Sequence, residues 1–355
     1  PLIAPLAILF FYNFGQFALV PYLGFLSERH PELISASLVG LALSAKSMAE
    51  KFGLFGFSVF SFSQSPRFTL SIGLLVRGLA FLLLQFIVSG SALFMAIILV
   101  GLAGSLIRPT VRSILSNQTK DDNREQIFST MFLFSNLGAI FGPLIISLNN
   151  SSNYLSYLLV GLALLDFILG LSIFCVKDAA TQVEQSKQVA NPGIFKSIKL
   201  IYASKRSINQ IFILQMLFWT LVSSCIFLVS FLNKLNPEFS SMRGYIFAIE
   251  GATVVFIQLL ALRPRFTTQL RSRSVPYIGM SSFFIGIYLL LLANSVISLV
   301  LAGMFIGIAE GLIAPYIYTQ FSRLIDENKS QQFFSALLLF ELLGDMVGYS
   351  FCGWW

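Results

Sequence analysis

Charged side chains stand one helical turn apart along apolar stretches of this sequence, and that spacing is where its chemistry must lie. Arg108 and Arg112 are four residues apart, so a helix puts both guanidinium groups on one face. Such planar forks suit bidentate capture of a carboxylate or phosphate; the competing reading is that both snorkel to lipid phosphates from a helix end. Lys46 and Glu50 share the spacing and could neutralise one another, with Lys51 on another face and Arg77 a cross-helix partner for Glu50. Glu341 and Asp345 place two like charges a turn apart, which in a low-dielectric site favours one proton held between them. Asp166, Glu250 and Glu310 complete the set. At the centre of a membrane span each such residue costs about 2.5 to 3.5 kcal/mol on insertion scales, so each is a functional candidate by default.

Other chemistries are poorly supplied. Cys175, Cys225 and Cys352 lack paired spacing, and His30 is the single histidine, so no disulfide framework, metal site or haem, and no cofactor, is expected. The chain carries no Walker A or dinucleotide fingerprint, which disfavours primary pumping. No nucleophile or catalytic motif stands at membrane depth, so the chain does not read as an enzyme.

The elements that must position these charges are spanning helices. The chain is 56% hydrophobic and 11% charged, whereas soluble domains carry about a quarter charged residues. Apolar stretches near the ~20 residues needed to cross a bilayer predict eleven helices, at 3–26, 36–60, 69–89, 91–115, 126–148, 153–175, 208–233, 243–262, 275–293, 296–321 and 331–354. The first, from Leu2 to Leu26, is too long for a signal-peptide core, and Pro1 in place of Met implies a natural start upstream. Lys and Arg concentrate in the even-numbered loops, with Arg67, Lys120, Arg124, Arg263, Arg265, Arg271, Arg273, Arg323 and Lys329, and in a long polar segment after the sixth helix. The odd loops hold Arg29, Lys234 and Arg243. Positive charge favours cytoplasmic loops, so the N-terminus and the central segment are expected in the cytoplasm. The net charge of +7 follows from that bias and needs no nucleic-acid partner.

An internal repeat is the strongest architectural signal. A shift of 206 positions carries Gly101, Ala103, Leu106, Ile107 and Pro109 onto Gly307, Ala309, Leu312, Ile313 and Pro315. The register continues through Gln126, Phe128 and Ser129 to Gly138 and Gly142, which meet Gly344 and Gly348. The expected organisation is an N-terminal six-helix bundle over 1–176, a cytoplasmic linker over 177–206 and a C-terminal bundle over 207–355. Trp355 aligns with Asn149, so only five helices of the second bundle are visible and a twelfth helix is expected beyond them.

The fourth helix reads Gly101-Leu102-Ala103-Gly104 followed by Arg108-Pro109, and the fifth Asn136-Leu137-Gly138-Ala139-Ile140-Phe141-Gly142-Pro143. Together with Ile72-Gly73, Arg77-Gly78 and Phe81 on the third helix, this resembles the proton-antiporter branch of the major facilitator superfamily, which includes multidrug and metabolite exporters. Two features depart from that pattern. The loop Ser61 to Arg67 lacks the usual acidic gate residue, and Ile145 and Ile146 replace the glycine pair that normally closes the antiporter motif.

The resemblance implies an all-α membrane protein of two pseudo-symmetric bundles with a substrate site between them near the bilayer midplane. It places the fourth helix, with Arg108 and Arg112, along a central cavity. Tyr12, Asn13, Gln16, Gln215, Trp219, Tyr316 and Tyr318 would line the same space, and Asp166 on the sixth helix would lie away from it. Glu310, Glu341, Asp345 and Glu250 are the candidates for proton coupling, the alternative being that they pair with Lys46, Lys51 or Arg77. Gly138, Gly142, Pro143, Gly344 and Gly348 offer close-approach faces that serve either rocking or static packing. The expected activity is secondary transport of a small organic solute, such as a carboxylate-bearing metabolite or siderophore, by proton-coupled export. Uptake and a non-transporting receptor are the alternatives. The expected setting is a monomer spanning the bilayer of a bacterial inner membrane.

Overall fold

Within lipid a spanning segment must satisfy its own backbone groups, and the computed structural model meets that demand with helices alone among its described residues. It describes residues 3–60, 65–86, 89–117, 124–148, 152–175, 206–232, 237–261, 272, 274–324 and 330–354. The helices are α1 (Ile3–Arg29), α2 (Ala36–Phe60), α3 (Pro66–Gln85), α4 (Gly90–Asn117), α5 (Arg124–Leu148), α6 (Ser152–Cys175), α7 (Arg206–Ser230), α8 (Arg243–Ala261), α9 (Val275–Leu291), α10 (Val296–Leu324) and α11 (Ser330–Trp354). A 3-10 turn, Pro237–Met242, precedes α8. All eleven expected spans are present, and eight are long and apolar enough to cross a membrane by length and composition. Of the expected linker, all but Arg206 lies outside the described residues.

Local chemistry explains the ends and bends. Ser65 caps α3 by accepting from the Phe68 amide at 3.3 Å, and Pro66 opens the helix where its missing N–H costs nothing. Pro109, Pro143 and Pro315 lie inside α4, α5 and α10, each removing one backbone donor from its helix.

The repeat is visible in the packing. In the first half α1 packs on α5, α2 on α4, and α4 on α3; in the second, α7 packs on α11, α8 on α10, and α10 on α9. Small residues set the closest of these approaches. A Cβ on Gly138 would strike the Phe10 carbonyl and one on Gly142 the Phe14 carbonyl, while Gly344 and Gly348 meet the carbonyls of Met216 and Thr220. These are repeat-equivalent contacts, atom for atom. They lie within each half, where close backbone approach replaces the hydrophobic drive that lipid does not supply.

Two seams join the halves: α2 against α11 and α5 against α8. Both tighten at the same end. Gly40 faces the Tyr349 carbonyl, Gly244 faces the Pro143 carbonyl, and the Gly244 amide donates to the Ser147 hydroxyl at 2.8 Å. Between these seams Gly24 of α1 abuts the carbonyl of Ser230, its own repeat mate on α7. The pseudo-two-fold axis therefore passes through that contact. Among the described residues α4 and α10 have no extensive packing on each other, so the closest backbone approaches between the halves lie at this end.

Candidate functional site

Among the described interior cations Arg108 is the partly exposed one. Its side chain is 38% exposed, and its Nη1 donates to Glu50 Oε1 at 2.6 Å. Gly104, one turn earlier on α4, makes room for this pairing: a Cβ there would lie 2.6 Å from the Tyr12 hydroxyl and 3.3 Å from the Glu50 carboxyl carbon. Arg112 belongs to α4, but its side chain lies outside the described residues.

Arg77 does not pair with Glu50 as the sequence suggested. It is held by Asp166, with Nε 2.7 Å from Oδ2 and Nη2 bonded to Oδ1, because α3 packs on α6 whereas α2 faces α4. The Tyr12 ring lies 5.0 Å from the Arg77 guanidinium carbon and Phe81 5.8 Å from it, a cation–π enclosure inside the first half.

Glu341 and Asp345, a turn apart on α11, were expected to act on one proton together. Each has other partners. Glu341 forms a buried ion pair with Lys51 across the α2–α11 seam and accepts from Gln215 Nε2 at 3.5 Å. Asp345 accepts from Ser223 at 2.5 Å and from Ser47 at 3.1 Å. Glu250 on α8 and Glu310 on α10 lie close enough for their carboxyls to interact directly. A hydrogen bond between two carboxyls needs a proton on at least one of them.

Lys46 was expected to neutralise Glu50. It is 7% exposed and makes no hydrogen bond or ion pair among the described residues, although it lies in the fields of Glu50 and Asp345. Glu50 prefers Arg108, whose planar fork reaches it from the facing helix.

The remaining candidates divide. Asn13 turns its amide to the Leu9 carbonyl of its own helix at 2.8 Å. Gln16 has a buried Oε1 without a partner among the described residues. Gln215 is buried beside Glu341, Trp219 is half-buried edge-on to Phe218, Tyr316 is half-buried, and Tyr318 is exposed. Sequence reasoning missed Arg243, which is fully buried, packs over Phe25 at 4.3 Å and pairs with Glu28, tying α8 to α1 at the closed end. It sits at a helix start beside a polar loop, and nothing in its sequence position signals burial.

This arrangement of two equivalent helical halves around buried charge is matched by a family model described as Major Facilitator Superfamily, over residues 6–349. The chain belongs to the Major Facilitator Superfamily. Solved structures of the superfamily share its fold. The nucleoside transporter NupG is 16% identical with a TM-score of 0.79, over 99% of this chain and 90% of that one. A bacterial homolog of the human lysosomal transporter Spinster, inward-facing and unoccupied, is 12% identical with a TM-score of 0.77, over 99% and 80%. The peptide transporter POT in complex with sulfate is 14% identical with a TM-score of 0.75, over 100% and 88%. No curated protein matches significantly. As a superfamily member the protein is a multi-pass secondary transporter rather than an enzyme, and its partner is a small molecule bound within the membrane.

Proposed function

We propose that this superfamily member moves a small organic solute with an anionic group, such as a carboxylate, by alternating access, in exchange for protons and outward across a bacterial inner membrane. The observation that carries the anionic reading is Arg108, a guanidinium at membrane depth with over a third of its side chain exposed. Fixed donors of this kind recognise carboxylate or phosphate oxygens far better than uncharged groups. The neighbouring carboxyls of Glu250 and Glu310 support proton coupling, because two acids side by side in a low-dielectric site favour a proton on one of them. Glu341 and Asp345 would sense the same proton through the α2–α11 seam. The basic even-numbered loops support a cytoplasmic N-terminus, which puts the closed end outside. The two bundles, 1–176 and 207–355, then act as moving bodies about the 177–206 linker in a monomer.

The test begins with purified protein and a thermal-shift panel of carboxylates, phosphates and neutral solutes, followed by flux of the hits in proteoliposomes under an imposed pH gradient. Flux of a carboxylate driven against its gradient by protons on the opposite side is the expected result. Solute movement that ignores the pH gradient would remove proton coupling from the reading, and no movement at all would favour a receptor.

A further inference from the structure

Arg108 is the partly exposed cation among the described interior residues, but its Nη1 is not vacant. Glu50 occupies it at 2.6 Å. An anion that takes the Nη1–Nη2 edge of Arg108 must therefore displace a carboxylate that is only 5% exposed. Displacement alone would strand a buried charge, which is strongly unfavourable. The surroundings narrow where Glu50 can turn. Lys51 is committed to Glu341 and Arg77 to Asp166. Lys46 has no hydrogen bond or ion pair among the described residues, is buried, and lies one turn before Glu50 on the same helix, within reach of a rotamer change. Asp345, the other acid whose field Lys46 feels, already accepts from two hydroxyls.

We infer that Lys46 is a reserve counter-ion: when an anionic group of the solute takes the fork of Arg108, the displaced Glu50 carboxylate swings onto Lys46. This rests on the reading of Arg108 as the anion-recognising group. Lys46 is then a positioning residue that never touches the solute. It makes anion binding an exchange of partners rather than the rupture of a pair. The exchange also moves Glu50 from the partner on α4 to one on its own helix, which unties α2 from α4 when solute is present.

The test uses full-length protein in lipid nanodiscs and radiolabelled benzoate, an aromatic carboxylate, as the probe. Lys46→Met should weaken benzoate binding at least tenfold, and Lys46→Arg should restore it to near the parent value. Glu50→Gln should tighten binding, because the amide competes poorly for Arg108 and needs no cation when displaced. In the Glu50→Gln background Lys46→Met should have no further effect. Thermal melts identify a variant that fails to fold, in which case Lys46→Gln takes the place of the methionine variant. An equal loss from Lys46→Met in both backgrounds would overturn the exchange, since Lys46 would then act without Glu50. Unchanged binding in Lys46→Met would overturn it as well. Benzoate binding to neither the parent nor Glu50→Gln would do the same, and flux of a neutral solute through that protein would show that transport stands while anion recognition at Arg108 does not.

Discussion

Lys46 and Glu250 occupy the same place in the two halves of the molecule. The backbone carbonyl of Lys46 lies where a side chain on Gly101 would project, and that of Glu250 lies in the same relation to Gly307, the repeat mate of Gly101. One position thus carries a cation in the first half and an acid in the second. Gly104 and Glu310 continue the contrast, a bare backbone against a carboxyl. The symmetric scaffold holds an antisymmetric charge pattern.

Arg108→Lys keeps the charge and loses the planar fork. Hydrogen bonds to charged groups contribute about 1.5–3 kcal/mol, so affinity for an anionic solute should fall by about ten- to a hundredfold while the melting temperature stays near the parent value. Equilibrium binding in detergent measures both sides of that statement. Parent-like affinity in the lysine variant would remove the fork from recognition.

The Lys51–Glu341 pair is buried on both sides, so removing one partner leaves an isolated charge. Lys51→Met should destabilise the protein by about 3–5 kcal/mol, and Lys51→Met with Glu341→Leu should recover most of that loss. Thermal unfolding of the two variants decides the matter, and equal melting temperatures for them would show that the pair is not what holds the seam.

Glu310→Gln and Glu250→Gln each replace one member of the carboxyl pair by an amide that cannot release a proton. Both should abolish pH-gradient-driven flux yet retain counterflow exchange of solute in proteoliposomes. Full response to an imposed gradient in both variants would place coupling elsewhere.

Gly142→Val puts a branched Cβ against the Phe14 carbonyl on α1. Overpacking of this kind costs about 1–3 kcal/mol. Gly161→Ala, where a Cβ meets nothing within 4 Å, is the matched control and should melt like the parent.

Orientation has its own check. In a cysteine-free background, a cysteine at Asn294 should be labelled from outside sealed cells, and one at Ser272 only after the membrane is opened. The reverse pattern would invert the molecule.

Helices, their order and the duplication were legible in the sequence because each rests on a local or periodic property: apolar length, loop charge and a constant register. The partners of the buried charges were less so. Spacing along one helix says which side chains share a face, but not which neighbouring helix that face meets. Lys46 and Glu50 share a face, yet Glu50 answers to Arg108; Glu341 and Asp345 share a face, yet Lys51 and two serines separate their roles. The Glu250–Glu310 pair was hidden for a further reason. The repeat carries Lys46 onto Glu250 in a register two residues short of that relating α4 to α10, so the shift that aligns the fourth helices misses this equivalence.

The meeting of Gly24 with the Ser230 carbonyl, flanked by Gly40 on Tyr349 and Gly244 on Pro143, gives the closed end an unusual mechanical character. Flexible side chains make soft bumpers, whereas backbone on backbone does not compress. In the proposed rocking motion these three contacts form a rigid end stop, and the swing of the halves is limited there by the width of the bare chain. Adding even one methyl group at Gly24 would hold the halves ajar and shorten the stroke.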